Sequence, residues 1–448
     1  MSDFKGIILA AGAGTRMKSS LPKALHKLSG RPIITFVINS IIEAGIEDII
    51  TIVPAEHHTF KPILENNSEL AVQQTPKGSG HALLHAKKKT STAKNILVLN
   101  GDMPLVKRET LTSLMNHHQS SKADLTLLTA QVGNPKDFGR IVRNSDGRII
   151  SIIEESEANE SHIGINEINA GAYCFKTSWL WNALESLKPS KSGEFFLTDL
   201  VTLAYNVNLK TESISAEEQE IIGVNNKIDL AKAEKILKTS ICENLMANGV
   251  TIIDPNTTYI DINVTVGPDT IIFPNTHISG NSKISSYCEI GPNSVIANSS
   301  VGHSCIIKSS TAESAIICSN VTIGPYSHIR EGSILKSDVN IGNYVEIKNS
   351  TIGSGTKSGH HCYLGDADIG SNVNIGAGTI TCNYDGEQKQ RTIIKDNAFI
   401  GSDTKLIAPV TVGKQSITGA GSIITKDIPD FSKAVGSPAR ITKEDRSE

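Results

Sequence analysis

The chain has 448 residues and a mass of 47.9 kDa, a length that suits at least two domains. Its 43 Lys and Arg nearly balance 46 Asp and Glu, for a formal charge of −3. That balance argues against a general nucleic-acid binder, and no apolar run reaches the roughly 18–20 residues of a membrane span. Aromatic residues are only 4% of the chain against 39% hydrophobic, so its cores are expected to be aliphatic.

The N-terminus, Met1-Ser2-Asp3-Phe4-Lys5, lacks the basic region, apolar stretch and cleavage site of a signal peptide. Seven cysteines are scattered along the chain without a Cys-x-x-Cys pair. An odd, unpaired set of this kind fits reduced thiols in a cytoplasm, not a disulfide framework or a zinc site.

Up to about residue 226, short apolar runs alternate with helical stretches. Gly6-Ile7-Ile8-Leu9-Ala10, Ile49-Ile50-Thr51-Ile52-Val53, Ile96-Leu97-Val98-Leu99 and Leu125-Thr126-Leu127-Leu128 read as buried strands. Between Pro32 and Gly45, Ile33, Val37, Ile38, Ile41 and Ile42 share a helical face. This grammar predicts βαβ units and a sheet covered on both faces. Residues 227–248, with Leu230, Ala233, Leu237, Ile241 and Leu245 near one face, read as a linking helix ended by Gly249.

From 249 to 448 the period becomes six. Val266, Ile272, Ile278, Ile284, Ile290 and Ile296 form an unbroken series, and small residues such as Thr270, Thr276, Ser282 and Ser294 lie two positions before them. The phase slips, then resumes at Ile323, Ile329, Leu335, Ile341 and Ile347, at Ile369 and Ile375, and at Ile400, Leu406 and Val412. A step of six fits neither a helix face nor an amphipathic strand. It fits a β-solenoid whose short strands each turn one aliphatic side chain inward. The pattern resembles the left-handed parallel β-helix of hexapeptide-repeat acyltransferases, and the handedness is an implication of that resemblance.

Several N-terminal segments carry chemistry. Leu9-Ala10-Ala11-Gly12-Ala13-Gly14-Thr15-Arg16 follows the first strand, where small residues let backbone N–H groups approach phosphate oxygens. Pro22-Lys23 adds a second cation, and Gln73-Gln74-Thr75-Pro76-Lys77-Gly78-Ser79-Gly80-His81 is another Gly-rich turn opening a helix. Asn100-Gly101-Asp102 places one carboxylate at the C-terminal end of a strand, where ligands bind in open α/β sheets.

This set resembles the nucleotidyltransferase domain of sugar-nucleotide pyrophosphorylases, a Rossmann-like α/β domain with a mixed, mostly parallel sheet. The resemblance implies that Leu9, Ala10, Ala11, Gly12, Asn100 and Gly101 line the nucleotide site. It implies that Arg16 and Lys23 stabilise phosphate charge during catalysis, and that Asp102 and Asn225 hold Mg2+. By the same match Gln73, Gly78 and Ser79 read uracil, with Ser79 keeping the hydroxyl where Thr is common. Gly139, Glu154, Asn169 and Thr198 correspond to sugar-binding positions. The chemistry suits these residue types, because a sugar 1-phosphate attacks the α-phosphorus of UTP and the repulsion of two anions must be offset.

In the second half, Gly359-His360-His361-Cys362-Tyr363-Leu364-Gly365-Asp366 and Gly376-Ala377-Gly378-Thr379-Ile380-Thr381-Cys382-Asn383-Tyr384-Asp385-Gly386 interrupt the repeats, and the run through Lys389 and Arg391 leaves the rhythm. An off-rhythm loop on a regular wall is a candidate site. Adjacent wall residues are expected to point oppositely, which argues against a metal site at His360-His361-Cys362.

These segments resemble the acetyltransferase half of the bacterial bifunctional N-acetylglucosamine-1-phosphate uridylyltransferase/glucosamine-1-phosphate N-acetyltransferase family, and the resemblance then covers the whole chain in order. It implies His360 as the general base for the glucosamine amine, a role suited to an imidazole, whose ordinary pKa is about 6.5. Arg330, Lys348, Tyr363 and Asn374 correspond to glucosamine 1-phosphate contacts, and Asn383 to a residue orienting amine and base. Ala377, Asn383, Tyr384, Ser402 and Ala420 correspond to acetyl-CoA contacts, with Arg440 in the tail as a CoA phosphate contact. Because these residues span several coils, one wall is not expected to gather them, and a homotrimer sharing its sites between subunits is expected. The leading reading is an enzyme that acetylates glucosamine 1-phosphate and then joins N-acetylglucosamine 1-phosphate to UMP from UTP. Its rival is a single-activity sugar nucleotidylyltransferase whose β-helix only regulates or assembles it.

Overall fold

A computed structural model describes residues 3–90, 93–191 and 193–444. Met1 and Ser2, which begin the stretch read for a signal peptide, and the last four residues of the second domain lie outside the described residues. The chain divides into two compact units, Met1–Leu237 and Lys238–Glu448.

The central sheet of the first unit runs, edge to edge, Thr211–Ser215, Leu125–Gln131, Glu167–Lys176, Asn95–Asn100, Phe4–Leu9, Ile49–Pro54 and Glu69–Gln73. Glu167–Lys176 is antiparallel to both its neighbours, and the other pairings along this path are parallel. The central strands Phe4–Leu9, Ile49–Pro54, Asn95–Asn100 and Leu125–Gln131 are mostly apolar and buried because both faces are covered. Ile8, Leu97 and Leu99 pack with Ile34, Val37 and Ile38 of the helix Ile33–Glu43 on one side. Ile7, Ile50, Ile96 and Val98 pack with Leu180, Leu184 and Leu200 on the other. A hairpin of Arg140–Arg143 and Ile149–Ile153 joins the antiparallel strand at Ile168. The strand Glu69–Gln73, which the sequence reading passed over, ends at the Gly-rich turn before the helix Ser79–Leu84.

The second unit is a left-handed parallel β-helix with walls of 12, 10 and 9 strands. Ile272, Ile290, Ile307, Ile323 and Ile341 stack in register down the first wall, all essentially inaccessible. The small residues two positions earlier are buried too, including Thr270, Thr276, Ser282 and Ser294. The lost phase between Ile296 and Ile323 has a simple cause. Val301, Ala312 and Ile317 take the inward positions there, and shortened sides of the coil bring them into register with Ile284, Ile296 and Val301.

The helix Lys227–Ala247 does not belong wholly to either neighbour, since the division falls at Leu237 and Lys238. Its first half is bound to the α/β unit, where Glu234 accepts from the Ser29 N–H at 2.8 Å and the Ser29 hydroxyl at 2.9 Å. Its second half caps the β-helix. Lys238 Nζ donates to the Asn256 carbonyl at 2.6 Å and sits 4.2 Å from the Tyr259 ring centroid. The helix ends as expected at Gly249, whose φ of +93° lets the Val250 N–H reach the Leu245 carbonyl at 3.1 Å.

Candidate active sites

The first site grows from the loop after the strand Phe4–Leu9. Gly14 has φ +60°, and a Cβ there would stand 2.9 Å from Lys23 Cβ, so only glycine lets the loop close on the lysine. The strand Asn95–Asn100 brings Asp102 alongside, held by the Gly101 N–H on the Leu9 carbonyl at 2.9 Å. The Asp102 carbonyl accepts from Val224 N–H at 2.9 Å, which delivers Asn225 across more than a hundred residues of chain. Lys23 Nζ lies 2.5 Å from Asp102 Oδ2 and 3.0 Å from Asn225 Oδ1, and Arg16 Nη2 lies 3.0 Å from the same Asn225 oxygen.

Beside this cluster is a cavity of about 400 Å³. Leu9, Ala10, Ala11, Gly12, Lys23, Gln73, Gly78, Ser79, Asn100, Gly101 and Asp102 all line it. Arg16 and Asn225 stand outside its lining, at the acidic edge. Glu194 also lines it and went unread in the sequence, where nothing distinguishes it from a solvated carboxylate. Gly78, with φ +98°, lies under the Phe195 backbone, where a Cβ would meet the carbonyl oxygen at 2.5 Å. The Ser79 hydroxyl accepts from the Leu197 N–H at 2.9 Å.

The expected sugar positions also come together. Thr198 Oγ1 donates to Glu154 Oε1 at 2.7 Å, and Asn169 N–H donates to the Gly139 carbonyl at 2.8 Å. A Cβ on Gly139 would stand 2.8 Å from Ile152 and within ordinary contact of the Glu154 carboxylate. Burial raises the Glu154 pKa above the ordinary carboxylate value, against the opposing hydrogen bond from Thr198. Asn169 Nδ2 donates to the Tyr173 hydroxyl at 2.7 Å. Gly171, two residues on, packs so tightly on the Asn100 amide that a Cβ would lie 2.4 Å from Nδ2. That contact ties the sugar positions to the Asp102 edge.

The donor chemistry at that edge fits a divalent cation. Two oxygens, from Asp102 and Asn225, converge on one positive charge, here the Lys23 ammonium. A hard cation commonly takes one or two protein oxygens and completes its shell with water and substrate phosphate. Among the described residues no group of three or more His, Cys, Asp or Glu forms a metal cluster, including at His360-His361-Cys362.

The second site lies on the β-helix, at the corner between its first and second walls. Gly342 and Gly359 stack so closely that a Cβ on Gly342 would sit 1.8 Å from the Gly359 carbonyl oxygen. This close approach sets Asn343 and His360 side by side in register, and His360 Nδ1 lies 3.2 Å from Asn343 Oδ1. With Nδ1 donating to that oxygen, Nε2 is the basic nitrogen. His361 departs from the expected alternation. It takes φ +44° in the turn and is exposed like His360, while Cys362 faces inward.

Three of the expected acetyl-CoA positions fall on one corner with His360, whereas Asn383 and Tyr384 follow the second-wall strand Ile380–Cys382. The register Lys357↔Asn374, Asn374↔Phe399 and Phe399↔Ile417 places His360, Ala377, Ser402 and Ala420 three positions further along four successive strands. They form one solvent-facing column along the corner, tied by Asp403 N–H to the Ala377 carbonyl at 2.6 Å and Gly421 N–H to the Ser402 carbonyl at 2.8 Å. At about 4.8 Å per strand step the column is about 14 Å long. Coil stacking converts wide sequence separations into neighbours, which spacing alone does not reveal. Exposed Arg440 lies on the last strand, Ala439–Glu444, opposite Val435 of the strand Ser432–Gly436 that next extends this wall.

Of the positions expected to contact glucosamine 1-phosphate, Arg330, Lys348 and Tyr363 belong to the second wall. Arg330 Nη1 donates to Glu346 Oε1 at 2.6 Å, and Glu346 and Lys348 pair in register with Tyr363 and Gly365. Asn383 Nδ2 donates to Asp366 Oδ2 at 2.5 Å and approaches the Tyr363 hydroxyl at 3.4 Å. Asn349 Nδ2 holds the other Asp366 oxygen at 2.6 Å. In the off-rhythm loop, Tyr384 pairs with Lys389 and its hydroxyl donates to the Gly386 carbonyl at 2.6 Å. The sequence reading missed Lys389 as a site residue. Lys348 lies close enough to push its pKa below the ordinary lysine value. Asn374, in contrast, is exposed on the first wall beside Lys357, away from Arg330, Lys348 and Tyr363.

An open α/β sheet with cationic loops facing an acidic edge, followed in one chain by a hexapeptide β-helix with a histidine corner, defines a two-domain nucleotidyltransferase–acyltransferase. Comparison with known proteins narrows this. The nucleotidyl transferase family matches residues 5–219, and the family described as GMPPB C-terminal domain matches residues 252–352. "Bifunctional protein GlmU" of Clostridioides difficile (strain 630) is 43% identical over 444 residues, covering 99% of this chain and 97% of that protein. Its namesakes in Caldanaerobacter subterraneus subsp. tengcongensis and Carboxydothermus hydrogenoformans are each 42% identical, covering 99% of this chain and 97% and 99% of their own lengths. The chain belongs to the bifunctional GlmU family, and it is a uridyltransferase and acetyltransferase of UDP-N-acetylglucosamine synthesis.

Among the described residues no helix is long and apolar enough to cross a membrane, and all seven cysteines are free.

Proposed function

We propose that residues 1–226 carry out uridylyl transfer and residues 249–448 acetyl transfer, with the helix 227–248 between them, in a cytoplasmic homotrimer. In the β-helix, glucosamine 1-phosphate sits with its phosphate against Arg330, Lys348 and Lys389. The Asn383 amide, with Nδ2 engaged by Asp366, offers Oδ1 to the amine. His360 removes the amine proton as nitrogen attacks the acetyl-CoA thioester, the C–S bond breaks, and the CoA sulfur takes that proton back from His360 and leaves as the thiol. The column Ala377, Ser402 and Ala420, with Tyr384 and Arg440, lies against acetyl-CoA, and its small side chains leave room for an extended ligand. Asn374 stands on a different wall from Lys348 and Tyr363 in one chain, which supports completion of the site by a neighbouring subunit.

The α/β unit then takes N-acetylglucosamine 1-phosphate on Gly139, Glu154, Asn169 and Thr198, and UTP on the loop Leu9–Gly12 with Gln73, Gly78, Ser79, Asn100 and Gly101. A phosphate oxygen of the sugar attacks the α-phosphorus, and pyrophosphate leaves. Arg16 and Lys23 stabilise the charge that develops on the phosphates. Asp102 and Asn225 would hold Mg2+, which when bound offsets the negative charge of the nucleotide.

The observation that carries this reading is the convergence of Lys23, Asp102 and Asn225, from three distant parts of the chain, on one edge of the nucleotide cavity. Two assays test it: pyrophosphate release from UTP with N-acetylglucosamine 1-phosphate, and thiol release from acetyl-CoA with glucosamine 1-phosphate. Both are expected, the first only with a divalent cation. Absence of thiol release that depends on glucosamine 1-phosphate would leave a single-activity nucleotidylyltransferase.

A further inference from the structure

Gln73 ends the strand Glu69–Gln73 in the wall of the nucleotide cavity and is 4% exposed. A carboxamide presents an acceptor at one end and two donors at the other, and the two ends are nearly the same shape. An unrestrained glutamine can therefore turn over to suit either kind of ligand edge. Here two neighbours decide the orientation. Gln73 Nε2 lies 3.3 Å from the Gly78 carbonyl oxygen, which can only accept, and 2.8 Å from His81 Nδ1. Both N–H bonds are engaged, and Oε1 is the end without a hydrogen-bond partner among the described residues.

His81 Nδ1 accepts only when the ring is neutral with its proton on Nε2. Burial lowers the His81 pKa most, and the charges of His85 and Lys77 lower it further. The His85 ring is 5.0 Å away, edge to face. The N–H groups of Gly78 and Ser79 are likewise without protein partners among the described residues. These backbone donors cannot be exchanged for acceptors, so a locked Gln73 gives the cavity wall a fixed hydrogen-bonding pattern.

Resting on the uridylyl-transfer reading, we propose that His81 is a positioning residue for base selection: it holds Gln73 with Oε1 toward the base, so that a pyrimidine bearing an N3–H is accepted and one bearing an N3 lone pair is refused. Uracil offers the N3–H. Cytosine would place its N3 lone pair against the amide oxygen, and a freed amide could turn its NH2 to meet it.

The test is the ratio of kcat/KM for UTP and CTP in pyrophosphate release by the full-length protein. His81→Leu removes the acceptor and should lower the ratio by about tenfold or more, with the change in KM and with kcat for UTP largely kept. His81→Met gives the same readout should the leucine protein be insoluble. His81→Asn, which can place an oxygen where Nδ1 stood, should restore most of the ratio. An unchanged ratio in the apolar variants, or an asparagine variant as unselective as leucine, would overturn the role of His81. Gln73→Leu separates the two levels of the argument. If it leaves the ratio intact, Gln73 does not read the base. If it collapses the ratio while His81→Leu does not, only the positioning role fails.

Discussion

Lys23 Nζ rests 2.5 Å from the carboxylate of Asp102, although 79 residues separate them. Both side chains are mostly buried, so each loses water on folding and each requires the other's charge until a ligand arrives. The pair closes one edge of the cavity, and on the proposed reading Asp102 would face the cation and Lys23 the phosphates.

Asp102→Ala should lower divalent-dependent pyrophosphate release by about a thousandfold or more, by loss of cation binding and of the partner that orients Lys23. Thiol release from acetyl-CoA should stay within about twofold of the parent, since no residue assigned to it lies in the α/β unit. Uridylyl transfer at the parent rate would remove Asp102 from the cation site.

At the β-helix corner, His360→Ala should abolish thiol release, whereas Asn343→Ala should reduce it by about tenfold, the effect of losing an orienting hydrogen bond. The shared-site arrangement needs a pair of variants from different walls, because His360 and Ala420 fall in one column of one chain. Lys348→Ala and Asn374→Ala proteins, each inactive alone, should regain part of the activity when refolded together as mixed trimers. Light scattering that shows an active monomer would contradict the trimer outright.

Buried His118 gives a prediction in pH. Its pKa is lowered to about 4 from 6.5, chiefly by burial. The unfolded chain therefore binds this proton more readily between those values, so stability is present above pH 6.5 and is lost as pH falls toward 4. Urea unfolding of the parent should weaken by about 2 kcal/mol more than that of His118→Leu on going from pH 7 to pH 5. Parallel losses in the two proteins would show that His118 is protonated without penalty in the folded state.

The division of the linking helix at Leu237 predicts where the uridylyl unit can be cut. A fragment ending at Leu237 keeps Glu234 on Ser29 and should retain uridylyl transfer without acetyl transfer. One ending at Ile228 loses two hydrogen bonds to a carboxylate, about 3–6 kcal/mol, and should melt several degrees lower. Equal melting temperatures would show that the first half of the helix adds nothing to this unit.

The repeating aliphatics at every sixth residue were sufficient to establish the solenoid, because a stacked coil has one inward position per side and tolerates little else there. Alternation of apolar runs with helical faces was sufficient in the same way for the α/β unit, and the glycine-rich loops marked the edge where its cavity opens, because backbone can approach a ligand closely only where side chains are small. Local pattern carries such information when the physical demand is itself local. Three matters were decided only in three dimensions. The pairing of Lys23 with Asn225 depends on a backbone bond between Asp102 and Val224. The column from His360 to Ala420 depends on coil register, which turns separations of 17, 25 and 18 residues into single strand steps. The orientation of the Gln73 amide depends on a carbonyl and an imidazole brought to it by the following turn and helix. In each case the deciding term is a contact whose geometry, and so whose energy, exists only once the chain has folded.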